Sequence, residues 1–257
     1  MLITGDPRRP TGAGRQALDA YRDTPLPTRM HAAVRWWSAP FPAVEAGLPA
    51  SGRVLEIGCG HGLFSTYAAL AGAARAVVGV DIDGRKITLA QSVAHRLDEV
   101  NLSFRLAPSG EVPAGPWDAI VVIDMLYLLP AAEQRSLLAA AAAQLGPGGI
   151  LLVKEMSPTP RWKAGWNRLQ ETAAVSILGI TQRAHGAAPE PLASGDAGSG
   201  EAAGGREGGS RPRFDLVAPD EMAGWLRQSG LSTTHRRLDR HRLHPHHLLT
   251  GRRTTPA

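Results

Sequence analysis

A chain of 257 residues with 43% hydrophobic content can bury one large core with additions, which excludes a fibrous or wholly disordered class. One cysteine, Cys59, excludes an intramolecular disulfide and fits the reducing cytoplasm; no apolar run reaches the roughly 18 residues of a membrane span, and no apolar segment precedes Arg8, so neither stable membrane insertion nor a secretory leader is expected. The net charge of +5 is concentrated between Arg227 and Arg253, where seven arginines face one acid, Asp239; such a stretch binds phosphate without specificity or is simply a solvated strand pair, and no specific nucleic-acid partner is expected.

Residues 1–15 are rich in Pro, Gly and Arg and read as a disordered tail. Residues 16–48 read as an N-terminal helical cap whose pieces are broken by Pro25, Pro27, Pro40 and Pro42. The main domain is expected over residues 49–257. It starts with a strand at Ser51–Ile57, a helix from Leu63 to Ala71 and a second strand at Ala76–Val80. A helix from Gly84 to about Leu97 and a short strand at Leu102–Leu106 follow. Ala119–Ile123 is a continuous apolar run, as suits a strand covered on both faces. An alanine-rich helix is expected from Ala131 to Leu145, closed by Gly146–Pro147, and then a strand at Ile150–Lys154. This alternation implies a parallel sheet with helices on both sides.

Trp162, Trp166, Leu169, Ala173 and Ile177 are spaced by three or four and mark one face of a helix within 161–178. Residues 186–212, rich in Gly, Ala, Ser and Glu, read as a flexible insertion. A helix opened by Pro219-Asp220-Glu221 runs to Gln228, and Leu231–Leu238 with His247–Gly251 look like a closing pair of strands.

The chemistry is carried by Val54-Leu-Glu-Ile-Gly-Cys-Gly60, where an apolar strand enters a glycine turn with Glu56 two residues before it. Gly58, Gly60 and Gly62 allow sharp turning and close approach of a ligand, and the second strand ends on Asp81. A glycine loop and an acid at two neighbouring strand tips form a nucleoside site. The dinucleotide spacing G-x-G-x-x-G is absent, and Glu56 would repel a pyrophosphate at the helix N-terminus. A nucleoside with an ammonium at its other end is S-adenosylmethionine.

These residues resemble the class I S-adenosylmethionine-dependent methyltransferases over roughly residues 50–155. The similar segments are Val54–Gly62, Val77–Asp83, Trp117–Asp124 and Leu145–Val153. The resemblance implies a Rossmann-like, doubly wound, seven-stranded α/β sheet, mostly parallel with an antiparallel last strand and helices on both faces. It implies S-adenosyl-L-methionine as cofactor. Gly58 and Gly60 then approach the methionine part and the ribose, with Cys59 between them as a small buried filler. Glu56 orients the ammonium, Asp81 accepts from the ribose hydroxyls and Ile82 packs on adenine. Asp83 is either a second carboxylate of the site or the N-cap of the next helix.

Asp124 and Met125 lie where the family places residues near the methionine part or the transferred methyl, with Asp124 a candidate ammonium partner. Many members carry Gly-Asp-Ala after strand three; this chain has Leu106-Ala107-Pro108-Ser109, leaving Ser109 as the substitute adenine contact. Tyr127 is a candidate to face the acceptor, and Tyr127, His31 and Glu155 are the candidate bases if one is needed. His61 faces the cofactor side, and His241, His244, His246 and His247 lack the partners of a metal site, so no metal is expected.

Trp36 and Trp37, with Trp162 and Trp166, either wall an apolar acceptor pocket or pack the helices onto the sheet. The base-gripping motif of nucleic-acid amino-methylating relatives is missing after strand four. A methyltransferase for a small, largely apolar or lipid-like acceptor is the reading; one acting on RNA or protein is the alternative.

Overall fold

The computed structural model describes residues 10, 12–97, 101–156, 215–238 and 246–254. The expectations for the helix within 161–178, with Trp162 and Trp166, and for the insertion 186–212 lie outside them, as do His241 and His244.

The apolar runs of the sequence form one seven-stranded sheet in the order β3-β2-β1-β4-β5-β7-β6. Its strands are β1 (Ser51–Ile57), β2 (Ala74–Asp81), β3 (Leu102–Leu106), β4 (Trp117–Ile123), β5 (Leu145–Met156), β6 (Leu231–Arg237) and β7 (His246–Arg253). β1 through β5 pair in parallel, and β7 is antiparallel to both β5 and β6. Successive side chains of a strand leave opposite faces, so each central strand feeds two cores. Val54, Val77, Val121 and Leu152 pack with the helices α1 (Ala13–Asp19), α2 (Leu26–Ser38), α3 (Phe41–Glu45), α4 (Leu63–Ala71) and α5 (Gly84–Leu97). Leu55, Ile120, Val122 and Val153 pack on the other face with α6 (Ala131–Ala143) and α7 (Pro219–Gln228). Among the described residues no helix is long and apolar enough to cross a membrane.

Three local expectations change. Pro25 and Pro40 separate the helical pieces as expected, but Pro27 and Pro42 do not break them. Pro25 and Pro40 are the N-cap residues of α2 and α3, and Pro27 and Pro42 sit in their first turns, where a missing amide hydrogen costs nothing. α1 begins at Ala13, inside the stretch read as a tail. α6 stops at Ala143 and β5 begins at Leu145, so Gly146 and Pro147 lie within the strand. The cap is tied to the sheet by Arg75, which is 6% exposed; its guanidinium donates to Glu45 Oε1 at 2.7 Å and to the carbonyls of Pro49 and Ala68.

Candidate active site

The carboxyl ends of β1, β2, β4 and β5 meet along one edge of the sheet, the place where open α/β sheets bind ligands. Gly58, Gly60 and Gly62 there have φ of 73°, 57° and 82°, a region L side chains rarely adopt. The amides of Gly58 and Cys59 donate to the Val80 carbonyl, and the Gly60 amide donates to Asp81 Oδ2 at 2.8 Å. Asp81 Oδ1 accepts from the Asp83 amide at 2.9 Å. The loop is thus stapled to the tip of β2. A Cβ on Gly58 would lie 2.9 Å from Met125 Cγ and one on Gly62 would run into Phe104 Cζ, whereas one on Gly60 would meet nothing within 4 Å. Gly60 therefore borders open space while its neighbours are packed. Behind the loop, the Tyr21 hydroxyl donates to the His61 carbonyl at 2.7 Å.

Glu56 is 4% exposed and accepts from Ser65 Oγ. Burial pushes its carboxyl up to about 7, with Asp81 adding to the rise and Ser65 and Arg35 opposing it. Of the two readings for Asp83, the structure displays the cap: Oδ1 accepts from the amides of Arg85 and Lys86 at the start of α5. Ile82 is 56% exposed, and so is Leu106 at 61%, which pairs with Asp81 across β2 and β3. Ser109 is exposed in the turn after β3. Cys59 is buried, and desolvation pushes its thiol up, away from the reactive thiolate.

At the tip of β4 Asp124 adopts φ 51°, unusual for a residue other than glycine. Its Oδ1 accepts from Lys154 Nζ and its Oδ2 from Arg35 Nη1 at 3.0 Å. Both oxygens accept from protein cations, so a ligand ammonium at Asp124 would share them. Burial alone would raise its carboxyl, but Lys154 and Arg35 outweigh burial and hold it below the usual range. Lys154 is fully buried. Met125 covers Gly58, and the amides of Met125 and Leu126 donate to Glu155 Oε1 at 3.1 and 2.9 Å.

Among the candidate bases, burial and the neighbouring Asp124 and Glu155 push the Tyr127 phenol up, so it stays protonated near neutrality. His31 stands edge-on to His61 at 5.0 Å; burial and the nearby His61, Arg35 and Lys86 lower it to about 4. Burial leads the lowering of His61 as well. Glu155 is raised to about 8 by burial and Asp124, against the two amides and Lys154.

Trp36 is 5% exposed, edge-on to Tyr67 at 5.1 Å and Phe41 at 5.9 Å, so its ring packs α2 onto the core; Trp37 is 53% exposed. Arg35, Lys154 and Leu106 escaped the sequence reading. A lysine inside the apolar run of β5 was the one available signal, since a fully buried lysine requires a partner. Among the described residues no group of three or more His, Cys, Asp or Glu side chains is arranged to hold a metal ion.

The open flank of Gly60, the Asp81 carboxylate, the exposed apolar pair Ile82 and Leu106 and the buried acid Glu56 fit a sulfonium nucleoside. A family model described as a methyltransferase domain matches residues 37–235. The ubiquinone biosynthesis O-methyltransferase of Xanthomonas axonopodis pv. citri is 28% identical over 215 residues, 77% of this chain and 75% of that protein. The protein of the same name from Bordetella pertussis is 30% identical over 148 residues, 50% of this chain and 59% of that one. The magnesium protoporphyrin IX methyltransferase of Synechocystis PCC 6803, solved with bound SAH, has the same fold, with a TM-score of 0.58 at 18% identity over 94% of each chain. The chain belongs to the methyltransferase-domain family and is an S-adenosylmethionine-dependent methyltransferase.

Proposed function

We propose that the enzyme methylates a hydroxyl oxygen of a small, largely apolar acceptor, a phenol or catechol carrying an apolar chain. The observation that carries the donor side is the stapled loop, where Asp81 holds the Gly60 amide and the face of Gly60 stays open. On the acceptor side, the support is the O-methyl chemistry in the relatives' name and the apolar side chains Leu26, Met30, Val34 and Trp37 exposed along α2.

In this reading Gly58 and Gly60 line the donor's backbone side, and Asp81 binds the ribose. Ile82 and Leu106 sandwich the adenine, a role Ser109 does not need to fill. Glu56 faces the ammonium. Arg35, which gives one Nη1 donor to Asp124, carries further guanidinium N–H groups suited to the methionine carboxylate. Met125 separates the glycine loop from the acceptor side. The helices over residues 16–48 act as a cap, and Trp37 is the cap tryptophan available to the acceptor.

The bound sulfonium supplies an electrophilic methyl group. The chain's residues chiefly align the acceptor with it and exclude water, which can provide most of the acceleration. Calorimetry separates S-adenosylhomocysteine from NAD as ligand. Transfer of a labelled methyl group to 4-octylcatechol, compared with RNA and protein, tests the acceptor. Labelling of RNA or protein with the catechol left unlabelled would overturn the proposal.

A further inference from the structure

Glu155 has one carboxylate oxygen too many for its structural role. It sits near the end of β5, beside the tip of β4, and is 4% exposed. Oε1 alone takes both amides of the Met125–Leu126 corner. Oε2 is buried and has no hydrogen-bond partner among the described residues. A buried polar atom left unpaired demands an explanation, and a glutamine would cap the two amides as well. On its other side Glu155 stands directly opposite His247 of β7, so the two side chains leave the same face of the sheet. His247 Nδ1 lies 2.5 Å from Nε2 of His235, the rings are stacked with centroids 4.7 Å apart, and His235 is exposed on β6. Glu155 and His247 thus share one face of the sheet, and His247 touches His235, which is exposed.

We propose that Glu155 takes the proton of the acceptor hydroxyl and that His247 and His235 pass it to solvent. This rests on the hydroxyl-acceptor reading above. The O–H bond breaks with its proton going to Oε2. The freed oxygen pair forms the new bond to the methyl carbon, and the pair of the broken C–S bond stays on sulfur. The groups around the carboxyl are Asp124 of β4, Tyr127 of the turn after it and Lys154 of β5, with His247 of β7 opposite on the sheet; His246 of β7 acts on Asp124. Burial and Asp124 raise Glu155 to about 8, a range in which a carboxylate is a useful base near neutral pH.

Glu155→Gln keeps an oxygen for both amides and removes the proton acceptor. With 4-octylcatechol as probe, kcat/KM is expected to fall about a hundredfold or more, and its rising limb near pH 8 to vanish. S-adenosylhomocysteine affinity should stay within about twofold. Infrared spectra of the wild-type complex with S-adenosylhomocysteine should show a carboxyl titrating near pH 8 that is absent from the variant. His235→Ala should slow turnover in dilute buffer and recover with added imidazole. An active Glu155→Gln enzyme, a variant that loses S-adenosylhomocysteine together with activity, or the absence of the titrating carboxyl overturns the base. Unchanged turnover of His235→Ala in dilute buffer overturns the relay. A wild-type enzyme inert toward every hydroxyl probe overturns the parent reading instead.

Discussion

Lys154→Met removes the fully buried ammonium next to Asp124 while nearly preserving length and volume. Breaking a buried pair by removing one partner typically costs about 3–5 kcal/mol, because the other charge stays buried. Arg35 still holds the second oxygen of Asp124, and its side chain is 29% exposed, so we expect the lower end, about 3 kcal/mol. For a domain of this size that is a fall in Tm of roughly 6–12 °C. The double variant Asp124→Asn/Lys154→Met should recover most of the loss, since a neutral pair leaves no buried charge and asparagine tolerates the left-handed φ of 51° at that position. Lys154 and Arg35 hold the carboxyl of Asp124 below its usual range despite burial, so its contribution is present above its unfolded value and lost as pH falls through the lowered folded value. Without Lys154 the carboxyl moves up, and protonation relieves the strain, so the variant should approach wild type as pH falls from 7 to about 5. Thermal unfolding followed by circular dichroism measures all three proteins. A single variant within about 1 kcal/mol of wild type at neutral pH would show that the pair does not hold the β4 tip.

Gly60→Ala places a methyl group in the space beside the loop at φ 57°; the strain should cost about 1–2 kcal/mol, and the Kd for S-adenosylhomocysteine should rise about tenfold or more by calorimetry. An unchanged Kd would mean that ligands do not approach at Gly60. Asp81→Asn weakens the hold on the Gly60 amide and removes a charged acceptor, so the same Kd should rise roughly 10- to 100-fold, with a fold still intact by near-ultraviolet circular dichroism; a change below about threefold would place the ribose elsewhere. Burial raises Glu56 to about 7 in the folded chain, so the fold binds more protons than the unfolded chain between about 4.5 and 7. Apoprotein stability should therefore decline as pH rises through that window, by up to about 3 kcal/mol, and Glu56→Gln should flatten the decline. Equal pH dependence in wild type and variant would assign the effect to another group.

Much of the architecture was legible because it rests on local rules. β1, α4, α5, β3 and α7 begin and end where apolar periodicity, glycines and turn residues place them. The glycine loop and Asp81 were readable for the same reason: left-handed backbone selects glycine within a few residues of sequence, and the parallel crossover brings the next strand's tip alongside. Where those rules compete, the chain alone does not decide. Proline forbids a helix interior but favours a helix start, and α2 and α3 use the second property.

Tertiary structure decided what each polar side chain meets. Arg35 and Asp124 are 89 positions apart, and neither residue's neighbours in sequence point to the other. Only the adjacency of β4 and β5, with α2 laid beside them, gives Asp124 two protein cations as partners. The same pairing of β5 with β7 sets Glu155 opposite His247. Backbone preference decays within a turn or a strand, whereas desolvation and charge act between whatever groups folding brings within a few ångströms; the first is written along the chain, and the second exists only once the sheet has formed.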